Sequence, residues 1–176
     1  MKTCHVMVGL PATGKSFLVK KLKESLDSVW IYSTDMFIEA VAKDHGLTYS
    51  EVFATSIKDA QDFNDEKVTL AFQMGIDIIW DQTNLGVKKR ATIINKAKQY
   101  GYRVEAHCIL PPEPNAIGLQ LEWKRRLEGR PGKTIPTYVL ENMVKNYHEA
   151  SDEEGFDQVT YYNMWGEVLY KTQPLV

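Results

Sequence analysis

Cysteine is scarce in this chain: Cys4 and Cys108 are the only two among 176 residues. Both sit in apolar runs that read as buried strands. They are expected to be free core thiols, with no disulfide framework and no zinc site. Positive charge is not in excess either. Lys and Arg number 21 against 23 Asp and Glu, for a formal net charge of -2 and a pI near 6.1. A chain that grips long stretches of nucleic acid is usually far more basic, so any contact with a polyanion must be local. No apolar window approaches membrane-spanning length, and the short run after Lys2 breaks at Gly9, too early for a signal peptide. A cytoplasmic location with no membrane partner is expected. Repeats, low-complexity segments and interdomain linkers are also lacking. With 44% hydrophobic residues, the chain suits a single domain over residues 1–176 with its own buried core.

What is present is an alternation of short apolar runs and helical stretches. Thr3 to Val8 reads as a strand, and Lys15 to Leu26 as a helix with Leu18, Leu22 and Leu26 on one face. Val29 to Tyr32 is a second strand, followed by a helix from Asp35 to Lys43. Thr48 and Glu51 have capping-box spacing and open a long helix to Met74, with Phe63, Leu70, Ala71 and Met74 as its expected apolar stripe. Ile76 to Trp80 is a third strand and Val87 to Tyr100 a helix. Arg103 to Leu110 is a fourth strand. Asn115 is placed to cap a helix reaching Glu128, and Thr137 to Ala150 reads as a further helix. Phe156 to Tyr162 fits a final strand, and residues 171–176 read as a loose tail. Strands alternating with crossover helices predict an α/β fold: a parallel sheet of four to five strands with helices on both faces. Ligands bind such sheets outside the carboxyl ends of the strands.

After the first strand come Gly9, Leu10, Pro11, Ala12, Thr13, Gly14, Lys15 and Ser16, which fit G-x-x-x-x-G-K-S/T between a strand and a helix. Chance supplies this pattern in roughly one chain in a hundred of this length, and the flanking elements make chance less credible still. The physics asks for each part. Backbone N–H groups turn inward around an anion, and the helix adds its positive end. Lys15 reaches the outer phosphates, and the Ser16 hydroxyl is a hard ligand for Mg²⁺. The pattern therefore implies a cradle for a nucleoside triphosphate.

The other strand ends carry the rest. Asp35 follows the second strand, where it could orient an attacking hydroxyl; Ser33, Thr34 or Asp35 could equally cap the next helix. Asp81 follows the third strand, where it could hold Mg²⁺ through water, and Thr83 and Asn84 offer neutral groups to substrate; an Asx-type turn is the plain alternative. Arg126 and Arg130 flank a Gly/Pro loop, residues 129–136, suited to a lid. Arginine forks match phosphate oxygens, although cations at a helix end need no further reason. The run Lys88-Lys89-Arg90 reads as a solvated helix face.

Together these pieces resemble the 5′-hydroxyl polynucleotide kinase domain of the phage type, within the adenylate-kinase-like P-loop group. The resemblance rests on Gly9 to Ser16, Asp35, Asp81 with Gln82, Thr83, Asn84 and Leu85, and Arg126 with Arg130, Lys133 and Pro136. It spans most of the chain, to about residue 150, and implies the sheet order 2-3-1-4 with any fifth strand beside the fourth. It also implies ATP and Mg²⁺ as cofactors, Asp35 as general base, Arg130 with Arg126 as catalytic lid arginines, and Arg126 and Lys15 on the nucleotide. The implied partner is a DNA or RNA 5′ end. Two departures stand out. The arginine that the family carries just after the catalytic Asp is absent, with Ile38 nearby instead, and Gln82 replaces an acidic residue. A kinase of similar fold with a small acceptor is the alternative, and a nucleotide switch without transfer activity is a third.

Overall fold

Apolar runs rich in Val, Ile and aromatics make the central strands, because a parallel sheet covered on both faces needs no polar alternation. In the computed structural model, which describes residues 1–172, these are β1 (Thr3–Val8), β2 (Val29–Tyr32), β3 (Asp77–Trp80), β4 (Arg103–Ile109) and β5 (Gln158–Tyr162), joined by β6 (Val168–Lys171). Their order is β2-β3-β1-β4-β5-β6. All neighbours run parallel except β5 and β6, which form an antiparallel hairpin.

The first four strands stand in the implied order, with the fifth beside the fourth. The expected count of four to five falls one short. All four residues of β6 are exposed, so pairing with β5 rather than burial makes the short run Val168 to Tyr170 a strand. The loose tail from residue 171 is corrected by the same pairing. Lys171 lies opposite Thr160, and Thr172 both donates to the Val159 carbonyl and accepts from its N–H at 2.9 Å. The rest of that tail, residues 173–176, lies outside the described residues.

The helices are α1 (Lys15–Ser25), α2 (Thr34–His45), α3 (Tyr49–Met74), α4 (Val87–Gln99), α5 (Ile117–Glu128) and α6 (Thr137–Asn146). Val68 and Phe72 of α3 and Ile93 and Ile94 of α4 cover the sheet face bearing Val6, Ile78 and Val104. Leu18 and Val19 of α1 cover the other, on Met7, Ile79 and Ile109. Among the described residues no helix is long and apolar enough to cross a membrane.

Three local expectations need correction. The buried stripe of α3 is Val52, Ser56, Ala60, Asn64, Val68, Ala71 and Phe72, while Phe63, Leu70 and Met74 are exposed. Small and polar residues occupy that face because Asn64 works there as a clamp. Its side chain accepts from Ser33 N–H at 3.0 Å and donates to the Ser33 and Ala60 carbonyls. Next, α5 begins after Ala116 with no side-chain cap, so Asn115 does not serve. Finally, α6 stops at Asn146, four residues early, because His148 N–H leaves the helical path to donate to Leu85.

Arg90 is the largest departure from the expected solvated face. It is 0% exposed, forms a two-pronged ion pair with Glu154 at 2.7 Å, and donates to the carbonyls of Asn84, Leu85 and His148. Removing one partner of such a pair strands the other charge. Arg90→Met should therefore cost about 3–5 kcal/mol of stability, read as a lower urea midpoint. Lys88→Ala and Lys89→Ala, on the exposed side, should change it by less than about 0.5 kcal/mol.

Candidate active site

The loop between β1 and α1 is a cradle built from strained backbone. Ala12 and Gly14 take positive φ, 59° and 110°. At Gly14 only glycine serves, since a Cβ would sit 3.0 Å from the Met164 carbonyl oxygen. Buried Thr13 ties the loop to itself through the Leu10 carbonyl at 2.7 Å. Trp123 holds it from outside through the Pro11 carbonyl, and Gly9 N–H donates to Thr83 O at 3.0 Å. The first turn of α1 has no side-chain cap, leaving its N–H groups to point at an anion. Ser16 stands exposed in that turn.

Lys15 bends back over the loop, its Nζ donating to the Gly9 and Leu10 carbonyls at 3.0 and 2.9 Å. Burial pushes its ammonium down to about 8; Asp81 and Asp35 oppose this, and Arg130 and Lys133 add to it. A cation so placed fits a nucleotide phosphate, which would replace the weak carbonyl partners with full negative charge. The consequence is measurable. Phosphate contact raises the Lys15 pKa, so binding takes up a proton above pH 8. Nucleotide affinity should then fall by up to about tenfold per pH unit beyond that point. Calorimetry at pH 9 in buffers of different ionisation heat should find proton uptake. No uptake there would mean that Lys15 is already fully charged in the free protein.

Asp35 is placed by its neighbours. Ser33 caps α2, accepting from Met36 N–H, so the cap alternative belongs to Ser33 and leaves Asp35 to other work. The Asp35 carboxylate accepts from the Tyr49 hydroxyl at 2.6 Å and from Lys133 Nζ at 2.5 Å. Burial raises its pKa, but the hydrogen bonds from Lys133 and Tyr49 outweigh this and hold the carboxyl below its ordinary value. Asp81, at the end of β3, is raised by burial despite the nearby Lys15 charge. Arg130 acts on both Lys15 and Asp35 through its charge, and its Nη1 is buried without a hydrogen-bond partner. Lys15, Asp81, Asp35 and Arg130 therefore share one electrostatic site.

Two other candidates stand differently from expectation. Asn84, expected to meet substrate, is 2% exposed with φ of 46°; its Nδ2 donates to the carbonyls of Met7, Trp80 and Gln82. It fastens the end of β3 to β1 and has no N–H left for substrate, while Thr83 contributes its backbone carbonyl to Gly9. Arg126 turns to the outer flank of the cradle. It pairs with Glu122, donates to the Met164 carbonyl at 2.7 Å, and lies 5.6 Å from the Trp165 ring. An apolar cavity of about 170 Å³ opens beside Trp165 and Met164, against Pro111 and Pro112. Arg126 Nη1 also lies 3.9 Å from where a Cβ on Gly14 would stand, so the guanidinium borders the cradle itself.

Tyr49 and Trp165 carry no motif that singles them out as site residues, and Lys133 enters only as part of the lid pattern. Their partners lie across turns, 14 residues away for Tyr49–Asp35 and 98 for Lys133–Asp35. The lid loop is docked onto the start of α3: Ser50 N–H donates to Gly132 O, and Thr134 N–H to Ser50 Oγ, each at 3.1 Å. Under it lies a cavity of about 370 Å³ whose wall includes Glu39, Lys43, Tyr49, Pro131 and Lys133.

The sequence pattern of a family described as an AAA domain matches residues 4–150. Curated relatives include 6-phosphofructo-2-kinase/fructose-2,6-bisphosphatase 4 of Rattus norvegicus and of Homo sapiens. Each is 30% identical over 124 residues, covering 62% of this chain and 26% of the relative. The chain thus spans about a quarter of the length of these relatives. A solved chain from work on the PezAT chromosomal toxin–antitoxin system of Streptococcus pneumoniae superposes with a TM-score of 0.67 at 16% identity. The superposition covers 97% of this chain and 72% of that one, and the likeness is one of fold.

Proposed function

Since the chain belongs to the AAA domain family, we propose that it is an ATP-dependent phosphotransferase that places the terminal phosphoryl group on a hydroxyl. The observation that carries this reading is the Asp35 carboxylate, kept ionised by Tyr49 and Lys133, in the same electrostatic site as Lys15 and Arg130. A nucleotide-binding switch needs the cradle but has no use for that carboxylate. Backbone N–H groups from Ala12 to Ser16 hold the phosphates, with Lys15 on the outer ones. Ser16 and, through water, Asp81 would hold Mg²⁺, which would neutralise charge on the phosphates. Arg126 and Trp165 flank the base. Asp35 accepts the proton of the acceptor hydroxyl and, since phosphoryl transfer has a loose transition state, orients it more than it activates it.

The acceptor reading that the geometry supports best is a small molecule. The cavity of about 370 Å³ is walled by Pro131 to Lys133 of the docked lid and by Tyr49, and Tyr49 and Lys133 both hydrogen-bond Asp35; pockets of that order hold single small ligands. Its wall carries Glu39 as well as Lys43 and Lys133, and Ile38 is fully buried, so α2 places no cation at position 38. The relatives' printed name, a 6-phosphofructo-2-kinase, agrees with kinase chemistry. A 5′-hydroxyl end of DNA or RNA is the second reading, favoured by the Arg130, Lys133 and Pro136 lid pattern.

Incubation with Mg²⁺ and γ-labelled ATP sorts these. Phosphorylated sugars, nucleosides, 5′-hydroxyl DNA and 5′-hydroxyl RNA are offered in parallel. Label on a small molecule alone is the expected result. Label on the polynucleotide alone overturns the small-acceptor reading and keeps the kinase. Tight ATP binding with no label on any acceptor overturns both.

A further inference from the structure

On the sheet face that α1 partly covers, β1 and β4 bring together His5, Glu105 and His107. The parallel register sets His5 beside Glu105 and Met7 beside His107, so the three side chains project from one face. His5 Nδ1 lies 3.0 Å from His107 Nε2 and 3.8 Å from Glu105 Oε2, and the three atoms all fall within 4.8 Å of one another. In a tetrahedral zinc site with metal–ligand distances near 2.0–2.1 Å, ligand atoms stand about 3.3 Å apart. The observed separations bracket that value.

The surroundings already orient two of the three ligands, while His5 Nε2 is buried without a hydrogen-bond partner. His107 Nδ1 is 2.9 Å from the Tyr162 hydroxyl, which turns Nε2 toward the cluster. Arg103 Nε donates to Glu105 Oε1 at 2.6 Å and leaves Oε2 facing His5. Outer partners of this kind fix tautomer and ring angle in metal sites. Burial, with smaller effects from His5 and Lys171, pushes the His107 imidazole down to about 3. Burial also lowers His5 against the pull of Glu105 and Asp77.

We propose that His5, Glu105 and His107 bind one divalent cation of borderline softness, zinc foremost, with water in the fourth position at the partly exposed Glu105 edge. Two imidazoles exclude Mg²⁺ and Ca²⁺, which take oxygen ligands. Such an ion staples β1, the strand that delivers the phosphate cradle, to β4. The inference stands apart from the phosphotransferase reading, because none of its ligands is among Lys15, Asp35, Asp81 and Arg130.

The test uses metal-stripped protein in excess Mg²⁺, which masks sites made of oxygen alone. Co²⁺ is titrated and followed by visible absorbance, then displaced with Zn²⁺, while thermal melting is followed in parallel. One equivalent should bind with a low-coordinate Co²⁺ spectrum, and Zn²⁺ should raise Tm. Glu105→Gln and His107→Gln should each weaken binding at least about tenfold and abolish the Tm rise. Glu105→Gln, at the exposed edge, decides the matter if the buried His107→Gln fails to fold. A variant lacking the exposed His45 and His148 should bind as before. Absence of stoichiometric binding, binding indifferent to Glu105→Gln, or binding lost with His45 and His148 would each reduce the pair to a plain hydrogen bond between neutral rings.

Discussion

Asp35→Asn should lower kcat by about 10²- to 10⁴-fold, the range expected of a positioned general base, and leave nucleotide affinity nearly unchanged. Affinity survives because the cradle is built by Gly9 to Ser16 and fastened by Thr13, Trp123 and Thr83, none of which touches Asp35. Turnover does not, because an amide accepts no proton. Single-turnover transfer and equilibrium nucleotide binding read the two effects separately. Near-normal turnover would make Asp35 a mere anchor for Lys133. The pH profile adds an independent sign. The Tyr49 and Lys133 hydrogen bonds hold the Asp35 carboxyl below its ordinary value, so activity persists to low pH and fails as pH falls through that depressed value. Lys133→Met and Tyr49→Phe each remove one such bond. Their acid limbs should move to higher pH, whereas a purely structural defect would scale the whole profile.

Arg130→Ala should lower the transfer rate by about 10³-fold or more, as loss of an arginine acting on the transferring phosphoryl group does. Arg130→Lys should recover little, since an ammonium lacks the planar fork. The free protein points the other way. Arg130 Nη1 is buried without an acceptor, and a buried donor left unsatisfied costs about 1–3 kcal/mol. Arg130→Ala should therefore melt at the same temperature as the parent or higher while losing transfer. A variant that lost both together would instead mark Arg130 as a structural residue of the lid. Arg126→Ala should differ in kind. It is held by Glu122 and the Met164 carbonyl beside Gly14 of the cradle, so weaker nucleotide binding is expected with less effect on the transfer step.

Parts of the molecule that local chemistry dictates were legible in the sequence. A cradle needs two glycines, a lysine and a hydroxyl at fixed spacing, and β1, α1 and the capping box at Thr48 follow from neighbours a few residues apart. What escaped depends on register between distant segments. The stripe of α3 is one such feature: hydrophobicity picks Phe63 and Leu70, whereas Asn64 is buried to hold Ser33 and so to set the start of α2. Arg90 looked like one more cation in a run until Glu154 and three carbonyls closed on it. Asn84 reads as a ligand by its chemistry, yet its work is structural. In each case a polar side chain spends its hydrogen bonds on backbone far away in sequence, and no periodicity records that.

The hairpin of β5 and β6 closes one side of the phosphate cradle, since the Met164 carbonyl bounds Gly14 and the turn at Gly166 rests on Phe17. A chain cut after Ala150 would keep every residue of the Gly9 to Ser16 loop. It would also leave β4 as a bare sheet edge, and remove Phe156, Val159 and Tyr161 from the core. An uncovered parallel edge recruits other chains. Such a fragment should aggregate on expression, and shortened versions of this protein are better ended beyond Thr172 than at its last helix.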